Sequence, residues 1–97
     1  MEIRFAEAAE EDLADAYEYY EDQLPGLGAQ LVYELGEALR RVREFPRAWS
    51  LVGKVTRRCS LKRFPYSILY VAESDTILVS AIACQHRFPA KYSDRIR

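Results

Sequence analysis

Residues 2–5, Glu-Ile-Arg-Phe, alternate polar and apolar and predict a short first strand. The period then changes. Ala9, Leu13, Ala16, Tyr17, Tyr20 and Leu24 recur at three and four, while Glu7, Glu10, Glu11, Asp12, Asp15, Glu18, Glu21 and Asp22 fill the remaining positions. This spacing predicts an amphipathic helix of roughly four to five turns, ended by Pro25-Gly26. A second helix follows almost at once. Its apolar stripe is Leu27, Leu31, Leu35, Ala38, Leu39, Val42 and Phe45, and Pro46 closes it. So short a connection implies an antiparallel helical hairpin.

Beyond Trp49 the period falls to two. Val52 to Leu61, Lys62 to Ala72 and Thr76 to Cys84 predict three strands, the last two joined by the polar turn Glu73-Ser74-Asp75. Strict alternation puts Ile77, Val79, Ala81 and Ala83 on one face of the last strand and Leu78, Ser80, Ile82 and Cys84 on the other. Neither face is strongly polar, so this strand is expected inside the sheet. Phe88-Pro89 ends it, and Ala90 to Arg97 reads as a short polar tail. The order is β-α-α-β-β-β, an α+β chain with a helical hairpin packed on a mainly antiparallel sheet, in one domain over residues 1–97.

Charge changes the picture more than composition does. The formal net charge is −1, but residues 1–49 hold 12 acids and 5 bases whereas residues 50–97 hold 3 acids and 9 bases. Two electrically different surfaces are expected, the basic one suited to nucleic acid or an acidic protein. No stretch is long and apolar enough for a membrane helix, and no secretory leader is legible, so a cytoplasmic location is expected.

Several chemistries have no support. There is no Gly-x-x-x-x-Gly-Lys cradle, and Gly26-Leu-Gly28 lies between helices rather than after a strand. One histidine and two distant cysteines give no metal-ligand spacing, so neither metal nor cofactor is expected. Cys59 and Cys84 fall in strands and read as small buried residues. What remains is basic and aromatic: Arg57 and Arg58 on opposite faces of one strand, Lys62 and Arg63 before Phe64-Pro65-Tyr66, and His86, Arg87, Lys91, Tyr92 and Arg95 after the last strand. Arginine forks suit phosphate or carboxylate, and Tyr92 or His86 can stack on a base or move a proton. Each also has an ordinary reading: solubilising charges for the arginines, core or core-rim aromatics for Tyr66 and Tyr70, a capping role for His86.

The run Arg57-Arg-Cys-Ser-Leu-Lys-Arg-Phe-Pro-Tyr-Ser-Ile-Leu-Tyr70 resembles the signature strand pair of the RelE/ParE toxins of type II toxin–antitoxin modules. Val79-Ser-Ala-Ile-Ala-Cys-Gln-His86-Arg87-Phe-Pro-Ala-Lys-Tyr92 is similar to that family's last strand and the segment after it, and Ile3-Arg-Phe, Ala9, Asp12-Leu13, Tyr19-Tyr20 and Leu27-Gly28 fit its opening. The resemblance implies a growth-arresting toxin held in a hetero-oligomer by a cognate antitoxin. A ParE-like member would bind DNA gyrase and catalyse nothing, with Arg63, His86, Arg87, Lys91 and Arg95 as target-binding residues. A RelE-like member would cut mRNA on the ribosome without a metal, with Arg57 or Arg58 and Arg87 on the scissile phosphate and Tyr92 exchanging protons. The slightly acidic chain, with only Lys54 before the strand arginines, leans toward the ParE branch. A non-toxic member acting only through partner binding is the third expectation.

Overall fold

A computed structural model describes residues 1–97. The elements are β1 (Glu2–Phe5), α1 (Glu7–Gln23), α2 (Leu27–Glu44), β2 (Ser50–Leu51), β3 (Thr56–Ser60), β4 (Tyr66–Ala72) and β5 (Thr76–Cys84), followed by 3₁₀ turns at Gln85–Arg87 and Ala90–Arg95. The α+β fold with its helical hairpin is the one the periodicity predicts. The expected strand over 52–61 is divided, however. Gly53 and its neighbours form a tight loop, so that Ser50 and Leu51 pair back on Arg58 and Arg57 and a short extra edge strand results.

The sheet order is β1-β5-β4-β3-β2, antiparallel throughout except for the β1–β5 pair. β5 is interior, as its two apolar faces require. The helices cover one face. Leu31, Leu35, Ala38 and Val42 of α2 and Ala9 and Ala16 of α1 close on Cys59, Ile68, Tyr70, Ile77, Val79 and Ile82. Fully burying a side chain such as Ile68 or Leu31 is worth about 1.5–3 kcal/mol, and this face carries most of the hydrophobic stabilisation.

Strict alternation fails at one place in β5. Leu69 pairs with Ala81 but Tyr70 pairs with Val79, so Ser80 is an extra residue in the ladder. Its hydroxyl donates to the Leu69 carbonyl at 3.2 Å. The bulge switches faces. Ile77 and Val79 join Ile82 against the helices, whereas Ala81 and Ala83 face the other way with Leu69.

That second face is not bare. Tyr92 is buried on Leu69, Ala81 and Ala83, with Val52, Phe88 and Ile96 around it. The last residue is stitched to the start of β3: the Arg97 carbonyl accepts from the N–H groups of Val55 (2.8 Å) and Thr56 (2.9 Å), and its own N–H donates to Thr56 Oγ1 at 2.8 Å. A Cβ at Gly53 would stand 2.5 Å from the Arg97 oxygen, so only glycine admits this crossing. Residues 88–97 are therefore a strap over the sheet. The reading of Ala90 to Arg97 as a short polar tail overlooks Tyr92 and Ile96, whose apolar surface has this face to bury.

Candidate functional site

The hairpin and the strap each leave a groove, and α1 is the wall between them. The first groove, about 870 Å³, is lined by Phe5, Leu13, Ala14, Tyr17 and Val32 with Glu10, Glu18 and Glu21. Tyr17 and Val32 remain 41% and 45% exposed, although Tyr17 sits in the apolar stripe predicted for the core. α1 carries eight acids and no base, so this apolar channel has an acidic rim. One of these glutamates also helps build it. Glu21 accepts from the N–H groups of Gly26 and Gly28, both at 2.9 Å, capping the start of α2 from the end of α1. Gly26 takes φ +94°, which lets α2 begin at once after α1.

The second groove, about 260 Å³, lies on the other side of α1. Asp12, Asp15, Ala16 and Tyr19 form one wall, Tyr66, Ile82 and Cys84 the floor, and Arg87, Lys91 and Tyr92 the opposite wall. It mixes both charges with three phenols. Burial pushes the Tyr66 hydroxyl up to about 12, helped by Cys84 beside it. Burial also raises the Tyr92 phenol, opposed by the hydrogen bond its oxygen accepts from the Cys84 N–H at 2.9 Å.

The sequence-predicted residues do not all meet here. Arg87 and Lys91 do, and Tyr92 joins them but is 2% exposed and committed to the Cys84 amide. Arg95 is engaged by Asp12 in a two-pronged ion pair. His86 is exposed in the first 3₁₀ turn. Arg63 stands apart, against α2, beside Tyr33, Glu34 and Phe64. Arg57 and Arg58 point to opposite faces. Arg57 pairs opposite Tyr70 on the helix side and donates to the Trp49 carbonyl at 2.7 Å, while Arg58 pairs opposite Leu69 and lies 4.8 Å over the Phe88 ring. Of the two, Arg58 shares the sheet face that Tyr92 covers.

Asp12 is the residue that sequence reasoning put on the solvent side of α1. Its carboxylate points inward and is 8% exposed. The signal was present: Asp12 falls three after Ala9 and four before Ala16, in register with the two buried positions of the helix. No group of three or more His, Cys, Asp or Glu side chains is placed to hold a metal ion. No helix is long and apolar enough to cross a membrane.

The chain is thus a small α+β fold with one acidic-rimmed apolar groove and one groove of mixed charge on the two sides of α1. The family model of the ParE toxin of type II toxin–antitoxin systems, parDE, matches residues 3–88, and the chain belongs to that family. Its fold is similar to a solved chain described as the chromosomal ParDE TA system from P. aeruginosa, with a TM-score of 0.74 and 19% identity over 87% of this chain and 95% of that one. No curated protein matches the sequence.

Proposed function

We propose that this chain arrests bacterial growth by binding a large target of the DNA gyrase kind, and that a cognate antitoxin neutralises it. The observation that carries the binding reading is the state of Tyr92. A proton-transfer residue needs a reachable hydroxyl, whereas this one is buried and holds the Cys84 amide. A phosphate beside Arg87 would find arginine donors but no free phenol to exchange protons with it. Arg87, Lys91 and the exposed His86 then act by contact, as a basic surface for an acidic one.

The first groove suits the antitoxin. Its apolar floor fits the apolar side of an amphipathic helix, and Glu10, Glu18 and Glu21 fit lysines or arginines flanking that side. Membership of a toxin–antitoxin family supports such a partner.

Pulse labelling of DNA and protein synthesis directly after induction tests the target. DNA synthesis is expected to stop first while translation continues. Collapse of translation first, with messages cut within codons, would instead make the chain a ribosome-dependent nuclease acting through Arg87 and Tyr92. Unimpeded growth would leave a family member that only binds its partner.

A further inference from the structure

The basic wall of the second groove belongs to a segment with little regular structure, so something other than a helix or strand ladder must fix it. The Tyr92 hydroxyl ties it to β5 and Arg97 ties it to β3. Asp12 is its tie to α1. One carboxylate oxygen, Oδ2, accepts from Arg95 Nη1 at 2.5 Å and from the Ile82 N–H at 3.0 Å; the other, Oδ1, accepts from Arg95 Nη2 at 3.2 Å. Arg95 Nη1 also reaches the Ser80 carbonyl at 3.3 Å, and the guanidinium lies 5.4 Å from the centre of the Tyr92 ring.

Topology explains why an acid is needed there. β1 ends at Phe5, which pairs with Val79, so the edge of β5 beyond that point has no strand beside it. The Ile82 N–H would be left without an acceptor at the bulged end of the strand. Asp12 supplies one, and its remaining acceptor capacity takes the fork of Arg95. With side chains only 8% and 20% exposed, the pair is little screened by solvent.

We propose that Asp12 is a positioning residue for the target-facing groove. Through Arg95 it fixes the Ala90–Arg95 turn, and with it the stance of Lys91 opposite Asp15 and Tyr19. The proposal rests on the reading of the second groove as the target-facing one. Asp12 does not line the first groove, so the device acts on one side of α1 only.

The test compares Asp12→Asn, Arg95→Gln and the double variant. Asparagine keeps a carbonyl for Ile82 but turns an N–H₂ toward the guanidinium. Loss of the clamp is expected to speed amide exchange at Tyr92 and Ile96 by at least about tenfold while amides of α2 and β4 keep their protection. The double variant should be no worse than the worse single one, because both remove the same contact. Growth arrest at matched protein level should fall by about tenfold or more if the strap must be placed for contact. Unchanged exchange in the strap, equal acceleration throughout the chain, or additive singles would overturn the proposal. If the wild-type chain itself fails to arrest growth, the target reading falls, and the exchange and additivity measurements still decide the clamp. Should Asp12→Asn not fold, Arg95→Gln against Arg95→Lys supplies the same comparison, with lysine expected to retain part of the protection.

Discussion

At Gly28 the two helices are in close contact. A Cβ there would stand 2.8 Å from two ring carbons of Tyr17 and 2.9 Å from Cγ of Glu21, and both neighbours also line the first groove. Gly28→Ala is therefore expected to lower stability by about 1–3 kcal/mol, read as a lower urea midpoint, and to weaken antitoxin binding. The bond that Glu21 makes to the Gly28 N–H must shift with the ring. A second prediction concerns two of the seven tyrosines. Burial pushes Tyr66 and Tyr70 up to about 12, and the Tyr70 hydroxyl donates to the Pro46 carbonyl at 2.7 Å, a bond that only the neutral phenol can make. Because the folded values lie above the ordinary value of 10.0, the stability these phenols contribute is intact below pH 10 and is lost as pH rises through about 12. Absorbance titration should show them ionising last and together with unfolding, and Tyr70→Phe should make the fold less sensitive to alkali.

The helices were legible because a period of 3.6 tolerates small errors in reading. In α2, Leu31, Leu35, Ala38 and Val42 are buried as their spacing predicts, and only the terminal Phe45 turns outward. β5 was legible as an interior strand but not in its facing, because a bulge leaves no mark when the residues around it are small or apolar. Ser80 is the extra residue, and the Leu78 to Ile82 run alternates smoothly whichever way it is read. The consequence can be measured. Ile77→Ala, which removes a fully buried side chain from the helix-side core, is expected to cost about 2–5 kcal/mol; Leu78→Ala, on the half-buried strap side, should cost clearly less. Equal costs would contradict the register. The strap escaped sequence reading for a different reason. Its order comes from single long-range ties, such as Asp12 to Arg95 and Thr56 to Arg97, which have no period. Of the candidate site, the residue types and the segment after β5 were readable; which of them are free to meet a partner was set by those ties.

Across the whole molecule the charges separate by surface as well as by sequence. Of the eight acids of α1, Glu10, Glu18 and Glu21 line the first groove and Asp12 and Asp15 the second, while nine of the bases lie in residues 50–97. Attraction of a cationic antitoxin to α1 should be long-ranged and screenable. Raising sodium chloride from about 50 to about 500 mM, which shortens the screening length severalfold, is expected to slow antitoxin association by at least about tenfold while changing dissociation little. Stopped-flow fluorescence would report it, and equal slowing of both rates would point to a contact of another kind. The placement of α1 between the two grooves also bears on how such a protein can change over generations. A substitution on this helix is read by whatever fills the groove on its own edge, although both edges share the same turns. On the proposed assignment of the grooves, Leu13 and Tyr17 are expected to vary with the inhibitor as far as the core and Gly28 allow, and Asp12 and Asp15 with the target. Insulation between cognate pairs should therefore accumulate along one edge of a single helix, leaving its other edge nearly still.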